Sequence, residues 1–527
     1  MSLVALRRSV DLYLARQKRS PFEYIVLATI AFLLGAMIKY PDRAFGTRSR
    51  PDLKDKGSRG YPLIGNLPQI FANRHDPLGA ILKNHVKYGN TTTATVPIIG
   101  RFIAVNTVED MEYILKTNME NYIKGDLFRR TFSDLLGQGI FTSDGQQWRF
   151  HRKTASNIFT TRLYRDLVKG AFRSTAGELA TVLEQKMKRG EYADLQKHFH
   201  ALTLDAFGRL TFGLHFHAIS TEGTHEFGDA FDYMTHVTES RSANPFWPWT
   251  DPFVPGKKRK IQEAIGILDK YATQAVEARR KETEEEKGTR PRDLLDHFIN
   301  YENDDGSKLT DAELRDVFTN FMIAGRDTTA QGLTWVFYML MSHPPVLAKL
   351  HEEIDAVFQG SDEYTYEQVA HDLPYAKAVF YETLRLYPPV TKNAKVAVEA
   401  DILPCGVRVD AGDVISYSSY ALARNQEVWG ADAERFNPDR WLNEDPKAKS
   451  PFGKFRNEST FKFNSFNAGP RICLGQTFAT LEALTTMAFL LQKFDFKLAP
   501  DHPIPVYKPS LTIPMQDPLL VEISKRQ

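Results

Sequence analysis

Cys473 has the most distinctive surroundings of any residue in this 527-residue chain, and it is one of only two cysteines. Gly469 precedes it by four positions, Arg471 precedes it by two, and Gly475 follows two positions later. A long apolar segment follows, from Thr477 to Phe494. This pattern is typical of a thiolate at a helix N-terminus, where backbone N–H groups and the helix dipole favour negative charge. Such a thiolate can serve as an axial ligand of heme iron.

A second motif, Ala324-Gly325-Arg326-Asp327-Thr328-Thr329, lies inside the long helical pattern Asp311–Ser342. Glycine in a helix interior costs about 1 kcal/mol relative to alanine, so Gly325 requires a structural reason. A local widening or kink of the helix would supply one, and it would open a groove for dioxygen. An acid beside a hydroxyl, as in Asp327-Thr328, can deliver protons there. The alternative is a kinked core helix whose polar groups are capped.

Two further pairs of residues have helical spacing. Glu382 and Arg385 are three positions apart and can pair on one helix face, although such pairs are common on surfaces. Trp148 and Arg152 are one helical turn apart and can form a cation–π or packing pair. By themselves these pairs are compatible with an ordinary structural role.

These motifs together resemble the cytochrome P450 family. Its heme-binding loop, Phe-x-x-Gly-x-Arg-x-Cys-x-Gly, is matched at every fixed position by Phe466, Gly469, Arg471, Cys473 and Gly475. The helical motif is similar to the family's Ala-Gly-x-Asp/Glu-Thr-Thr. The family's Glu-x-x-Arg is matched by Glu382 and Arg385, and its later arginine by Arg440. The family's Trp-x-x-x-Arg is matched by Trp148 and Arg152. The resemblance covers roughly Tyr61 to Lys525.

The resemblance implies a role for each matched residue. Cys473 ligates the iron of heme b, Thr328 faces the iron, and Asp327 relays protons. The residues expected to hold the cofactor are Cys473, Trp148, Arg152, Lys392, Arg471, Phe466 and Gly475. A network that braces the cysteine loop is expected from Glu382, Arg385 and Arg440. The expected substrate pocket is lined by Phe318, Phe321, Ala324, Val390 and Leu511.

Helical patterns dominate the chain, and strand-like segments are short. The longest predicted helices are 177–189, 259–287, 311–342, 345–358, 373–387 and 476–494. The predicted strands are 91–96, 102–105, 395–398 and 414–417. The fold class is therefore mainly α with a minor β component, and the resemblance implies the cytochrome P450 fold. The predicted organisation is an N-terminal tail (1–20), a membrane-anchor helix (21–40), a linker (41–60) and a heme-thiolate monooxygenase domain (61–527).

Composition narrows the possible partners. The formal net charge of +2 gives no reason to expect a nucleic acid. Two cysteines form at most one bridge, and no cysteine or histidine cluster has zinc spacing. Cys473 is therefore free to act as a ligand.

The N-terminal segment Tyr24–Ile38 contains no charge, and extended to Pro21–Tyr40 it would form a helix of about 30 Å, enough to cross a bilayer. A cleaved signal peptide and a buried core helix are the alternatives. Basic residues flank both ends, so the charge-asymmetry rule does not decide the orientation. The resemblance implies a single-pass protein of the endoplasmic reticulum membrane with a cytosolic catalytic domain, and a mitochondrial membrane is the alternative.

The implied reaction is monooxygenation with O2 and electrons from a separate NADPH-cytochrome reductase, with cytochrome b5 as a further donor. Arg149, Lys153 and Lys462 are candidates for a basic docking face. Asn467-Ala468 in the cysteine loop resembles fungal and plant hydroxylases of alkanes and fatty acids, so the expected substrate is a long-chain fatty acid or alkane oxidised at or near its terminus. Terpenoid or xenobiotic substrates are an alternative, as is a heme-thiolate peroxide isomerase. A non-catalytic heme-binding membrane protein is another.

Overall fold

A computed structural model describes residues 21–223, 225–283, 285–286, 293–302, 307–446 and 448–526. It confirms a mainly helical chain with a minor sheet component. The α-helices are, in chain order, α1 (Pro21–Lys39), α2 (Leu67–Ala72), α3 (Pro77–Tyr88), α4 (Val108–Glu112), α5 (Gly125–Leu136), α6 (Gly145–Ser156), α7 (Thr161–Asp166), α8 (Arg173–Arg189), α9 (Leu195–Phe212), α10 (Glu226–Ala243), α11 (Trp247–Thr250), α12 (Lys257–Lys281), α13 (Leu294–Ile299), α14 (Asp311–Met322), α15 (Thr328–Ser342), α16 (Pro344–Phe358), α17 (Tyr366–His371), α18 (Pro374–Leu386), α19 (Ser419–Leu422), α20 (Gln426–Trp429) and α21 (Gln476–Lys493). The predicted tail 1–20 lies outside the described residues.

The strands form small sheets. They are β1 (Thr91–Val96), β2 (Gly100–Val105), β3 (Tyr122–Ile123), β4 (Ala193–Asp194), β5 (Lys392–Ala397), β6 (Asp401–Ile402), β7 (Arg408–Val409), β8 (Val414–Ser418), β9 (Leu442–Asn443), β10 (Lys454–Phe455), β11 (Phe494–Leu498) and β12 (Leu520–Lys525). The largest sheet has the order β1-β2-β8-β5-β3, and a second has the order β11-β12-β4. Only the β2–β8 pair of the large sheet is parallel, and it places Ile103 opposite Ile415.

The apolar core has two parts. The larger part lies among the helices and includes residues of α14, α15, α18 and α21. The smaller part lies on the five-stranded sheet and includes Ile103, Tyr122 and Ile415. Ala468, which belongs to the loop before Cys473, is completely buried in this second part. The sheet therefore supports the cysteine loop from one side, and α21 continues from its other end.

The long helical pattern 311–342 is divided by a π-helical segment, Ile323–Asp327, between α14 and α15. The first half begins with a reciprocal cap, because the Thr310 hydroxyl accepts from the amide of Glu313 and the Glu313 carboxylate accepts from the amide of Thr310. The widened turn contains Gly325 and Asp327. This confirms the predicted local widening.

The N-terminal apolar helix α1 has 19 residues, about 28 Å in length. Nearly all its side chains are exposed rather than packed on the rest of the chain. Length and composition therefore allow this helix to span a membrane.

Residues 41–60, predicted to be a linker, pack against the sheets rather than remaining extended and free. Ala44 forms β-bridges with Leu63 and Ile64 and is completely buried. Leu53 is buried in the sheet-side core. Arg50 donates to the carbonyl oxygen of Arg408 (2.7 Å). The polar composition of this segment concealed the few apolar positions that attach it.

Candidate functional site

The loop that carries Cys473 is closed by its own backbone. The amide of Cys473 donates to the carbonyl oxygen of Phe466 (2.8 Å). Gly469 has φ of +65°, and a Cβ atom there would overlap the carbonyl oxygen of Leu115, so only glycine is accommodated. Gly475 immediately precedes α21. Cys473 therefore lies beside the N-terminus of a long helix.

The sulfur of Cys473 borders an interior space. Its side chain is accessible, yet burial by the surrounding protein raises the pKa of the thiol. The amide of Gly475 and the charge of Arg152 act in the opposite direction on that pKa. Arg152 is held close by, since its Nη1 donates to the carbonyl oxygen of Ile472 (2.6 Å). An accessible sulfur enclosed by protein leaves room for a bound group beside it.

Trp148 lies between the two predicted arginines. The guanidinium of Arg471 is 4.4 Å from the centre of the Trp148 ring, and that of Arg152 is 6.0 Å away. Arg471 Nη2 also donates to Asp144 Oδ1 (2.9 Å) and to the carbonyl oxygen of Ser143 (3.1 Å). The structure thus brings three of the predicted cofactor-binding residues together beside the cysteine loop.

Two lysines that the sequence analysis missed join this group. Lys395 is 1% exposed, and its Nζ has no hydrogen-bond partner among the described residues. Burial lowers its pKa, and the charges of Lys124 and Arg471 lower it further. Burial and the charge of Arg471 likewise lower the pKa of Lys124 to about 8. Only Asp144 acts on both in the opposite direction.

A buried ammonium without a partner is costly, so Lys395 indicates that an anionic group belongs beside it. The two carboxylates of heme match this excess of positive charge. A signal was present in the sequence: Lys395 shares the buried face of β5 with Ala397, a position where lysine is unusual. Lys392, the predicted partner, donates instead to Glu239 Oε1 (2.6 Å).

Thr328 directly follows the π-helical segment. Its hydroxyl donates to the carbonyl oxygen of Ala324 (2.6 Å), and both side chains remain partly accessible. Gly325 faces away, toward the ring of Phe207 in α9, and a Cβ atom at this position would overlap that ring. The glycine is therefore required by helix packing as well as by the widened turn.

Asp327 is buried within a cluster of charged groups. Arg326 Nη1 donates to Asp327 Oδ1 (2.7 Å) and to Asp232 Oδ1 of α10 (2.6 Å). His200 Nδ1 lies 4.0 Å from Asp327 Oδ1, and burial lowers the pKa of His200 to about 4, so that this ring is neutral. Burial raises the pKa of Asp327 to about 6 against the opposing charge of Arg326. A carboxyl group with this pKa exchanges protons readily near neutral pH.

Glu382 is completely buried and forms the predicted pairs with both arginines. Its Oε1 accepts from Arg385 Nη2 (2.8 Å), Arg440 Nε (3.0 Å) and the amide of Asn437 (2.9 Å). Its Oε2 accepts from Arg385 Nε (2.8 Å) and from Trp441 Nε1 (2.9 Å). Five donors saturate one carboxylate, which ties α18 to the segment before the cysteine loop. The indole contact was not predicted.

The residues predicted to line a substrate pocket fall into two groups. Phe318 and Phe321 are buried, and their rings contact Phe212 (4.6 Å) and Phe298 (6.2 Å) respectively. The structure therefore places these two in the aromatic core of the helices. The residues of the set that keep accessible side chains are Ala324, Val390 and Leu511.

Charged side chains on α10 lie close to the same site. Asp232 and Glu239 are seven positions apart and share one helix face. The side chain of Asp232 is 57% exposed although it pairs with Arg326, and Glu239 pairs with Lys392 at the start of β5. Helix α10 is thereby connected to both the π-helical segment and the sheet.

The sulfur of Cys473 and the unpaired amine of Lys395 suit opposite parts of one cofactor, the iron and the carboxylates of heme. With a widened helix bearing an acid and a hydroxyl nearby, the fold and the site define a heme-thiolate protein.

The chain belongs to the cytochrome P450 family, since the family model described as Cytochrome P450 matches residues 56–521. Cytochrome P450 monooxygenase cyp1 of Mycosarcoma maydis is 35% identical over 99% of this chain and 83% of its own length. Cytochrome P450 704B1 of Arabidopsis thaliana is 33% identical over 89% of this chain and 95% of its own length. Cytochrome P450 94C1 of the same plant is 33% identical over 83% of this chain and 87% of its own length.

Membership confirms the predicted enzyme class. The protein is a monooxygenase of the oxidoreductase class that uses heme with a cysteine thiolate as axial ligand. It acts on a small molecule with O2 and receives electrons from a redox partner.

Proposed function

We propose that this monooxygenase hydroxylates a long-chain fatty acid or alkane at or near its terminus. The observation that carries the proposal is Val390, an apolar side chain 38% exposed directly after the helix that bears Glu382. An accessible apolar side chain after the helix that supports the cysteine loop suits a hydrocarbon chain. The exposed apolar helix α1 supports delivery of such a chain from a bilayer. The resemblance of Asn467-Ala468 to the alkane and fatty-acid hydroxylase branch favours an unbranched chain.

In this proposal Cys473 provides the thiolate ligand of heme. Bound heme supplies oxygen activation: one atom of O2 enters a C–H bond and the other leaves as water, with two electrons and two protons consumed. The side chains that hold the carboxylates of heme are Trp148, Arg152, Arg471, Lys124 and Lys395. The network of Glu382, Arg385 and Arg440 keeps the cysteine loop in place, with Phe466 and Gly475 as the ends of that loop.

Proton delivery is assigned to Asp327 and Thr328. Asp327 exchanges protons near neutral pH because burial raises its pKa to about 6. Thr328 lies one residue further along the widened turn, where its hydroxyl is held by the carbonyl oxygen of Ala324. Protons are passed in this proposal from Asp327 to the hydroxyl of Thr328, its neighbour in the chain.

The electron donor in this proposal is NADPH-cytochrome reductase, with cytochrome b5 as a further donor. Lys153 is exposed on α6 and free to contact a partner, whereas Arg149 pairs with Glu120 and Lys462 pairs with Glu458. We place the protein in the endoplasmic reticulum membrane, with α1 as the anchor and the catalytic domain in the cytosol.

The test combines binding with turnover. Saturated fatty acids and n-alkanes of 10 to about 20 carbons are titrated into the purified heme-loaded protein, and the low- to high-spin shift of the Soret band is followed. Products from NADPH, reductase and O2 are then identified by mass spectrometry. We expect a spin shift with long chains, and terminal or subterminal alcohols that require all three components.

Absence of a shift with every chain length would contradict the substrate class and leave the heme assignment intact. Turnover of a fatty-acid peroxide without NADPH or reductase would favour an isomerase instead. A preference for terpenoid or aromatic compounds in the same assay would move the substrate to that alternative.

A further inference from the structure

A cleft of about 250 Å³ lies between α10 and the start of α12, outside the site described above. Its polar lining comes from Tyr233, His236 and Ser240 of α10 and from Lys257 and Lys260 of α12. Hydroxyl, imidazole and ammonium groups all donate hydrogen bonds, and none of the lining residues is acidic. The cleft therefore offers several hydrogen-bond donors and no carboxylate to a ligand.

The charge around the cleft is positive. Lys257 Nζ is neutralised by Asp251 Oδ1 (2.6 Å), which leaves that lysine little capacity for another anion. Asp251 also pairs with Arg241 Nε (2.9 Å), so one carboxylate serves two cations. Lys260 forms no ion pair with any residue that the structure describes, and it remains exposed. One full positive charge is thus available to a ligand.

The pKa of His236 reflects the same positive charges around the cleft. Burial lowers its pKa, and the charges of Lys508 and Lys257 lower it further against the weaker effect of Glu239. Lys508 belongs to the C-terminal segment and is exposed. His236 is neutral at physiological pH and can donate one hydrogen bond. Lys508 adds to the positive potential on this side of α10.

The rest of the lining is apolar and continues to an apolar surface. Val237, Val254 and Pro255 complete the cleft. Val254 is 48% exposed, and the neighbouring side chain of Phe253 is also strongly exposed. A ligand that suits this cleft therefore has an anionic head and an aliphatic body, because only such a molecule satisfies both parts of the lining.

The cleft is connected to the reacting centre by α10 itself. Asp232, one helical turn before His236, holds Arg326 beside Asp327 (Nη1 to Oδ1, 2.7 Å). Helix α10 thus carries one wall of the cleft and also Asp232, which belongs to the charged cluster around Arg326. Asp232 and His236 are four positions apart and both exposed, so the cleft and the charged cluster lie along the same face of α10.

We propose that this cleft binds the carboxylate of a long-chain fatty acid, with Lys260 as its counter-ion and His236 as a hydrogen-bond donor. The inference rests on the proposed function and refines it, because it selects the acid over the alkane. A carboxylate is ionised at neutral pH and gains from the unpaired ammonium, whereas an ester or alcohol of equal length does not.

The experiment compares three probes of one chain length: hexadecanoic acid, its methyl ester and 1-hexadecanol. Each is titrated into the heme-loaded full chain in nonionic detergent at low salt, without phospholipid, and the dissociation constant is taken from the spin shift. We expect the acid to bind about 10-fold more tightly than the ester, from one charge-assisted contact. We also expect 0.5 M NaCl to weaken only the acid.

Variants then locate the contact. Lys260→Met is expected to weaken the acid 5- to 10-fold and to leave the ester and alcohol unchanged. Lys260→Arg should retain most of the acid's advantage. Lys497→Met, which removes an exposed lysine of β11, is the matched control and should change none of the three.

Equal affinity of wild-type protein for acid and ester would overturn the carboxylate site while the hydroxylase proposal stands. Equal loss for all three probes in Lys260→Met would do the same, because it would mean that Lys260 does not act on the carboxylate. An effect of Lys260→Met seen only after anionic phospholipid vesicles are added would assign the cleft to a lipid headgroup instead. No shift with any of the three would overturn both proposals.

Discussion

Nη1 of Arg326 lies 2.7 Å from Oδ1 of Asp327, its neighbour in the chain, and both side chains are buried. Adjacent helical residues normally point in different directions, and the π-helical turn permits this contact. Burial raises the pKa of Asp327 to about 6, while Arg326 limits the rise. The acid therefore titrates closer to neutral pH than an ordinary aspartate does.

Proton delivery by Asp327 predicts a specific pH profile. Product formation should rise with pH through about 6 as the carboxylate forms, and Asp327→Asn should remove this limb and lower kcat about 100-fold. Asp232→Asn is the informative comparison. Because the charge of Asp232 raises the pKa of Asp327, its removal should shift the limb to lower pH. An unchanged limb in both variants would assign the titration to another group.

The buried amine of Lys395 predicts opposite effects on the cofactor and on the empty protein. Lys395→Met should lower heme affinity about 10-fold, because a charge-assisted contact with a heme carboxylate is lost. The heme-free protein should become more stable in urea, since a buried amine without a hydrogen-bond partner among the described residues is removed. Lys392→Met is the control and should leave heme affinity unchanged. Equal losses of heme in the two variants would contradict the assignment.

The close approach of Gly325 and Phe207 predicts that substitutions at these two positions have strongly coupled effects on stability. Gly325→Ala should destabilise the protein by about 1–3 kcal/mol, because its methyl group would overlap the aromatic ring. Phe207→Leu, combined with it, should recover part of that loss, and urea unfolding of the four proteins in the cycle measures the coupling. If the two effects are simply additive, the glycine is present for another reason.

Cys473→Ser should abolish the red-shifted Soret band of the reduced carbonyl complex, because a serine hydroxyl does not replace a thiolate on iron. Cys405→Ser is the matched control. Cys405 lies in a turn next to Thr91, whose hydroxyl contacts its sulfur at 3.6 Å, so its loss should leave the spectrum unchanged. The visible spectrum of the reduced carbonyl complex is measured for both variants. Retention of the red-shifted band in Cys473→Ser would refute the heme-thiolate assignment.

Glu482 in α21 predicts a pH dependence of stability. Burial raises its pKa from 4.5 to about 8, and the hydroxyl of Thr329 opposes the shift only in part. The contribution of the neutral Glu482 carboxyl to the free energy of unfolding is therefore fully present below pH 4.5. It is lost as the pH rises through about 8, and the total loss is about 5 kcal/mol. Glu482→Gln should make the midpoint of urea unfolding nearly independent of pH between pH 5 and 8. Glu522→Gln, at an exposed position of β12, should not.

The cysteine loop and the widened helix could be predicted from the sequence because both depend on residues close together in the chain. Gly469 and Gly475 mark positions where the backbone turns, and Gly325 marks a helix that cannot be regular. The same local reasoning predicted α16, α18 and α21 to within one residue at each end. The second sheet, β11-β12-β4, was not predicted because its strands come from distant parts of the chain.

By itself the sequence determined the thiolate, the acid beside a hydroxyl and the family to which they belong, because short-range spacing fixes these features. Only the tertiary structure decided which lysine is buried beside Arg471 and the cysteine loop. Lys395 and Lys392 differ by three positions in one strand, and only the tertiary structure reveals which amine is buried near Lys124 and Arg471 with no hydrogen-bond partner among the described residues. Burial and long-range contacts set the energy of a charge, and neither is encoded in local spacing.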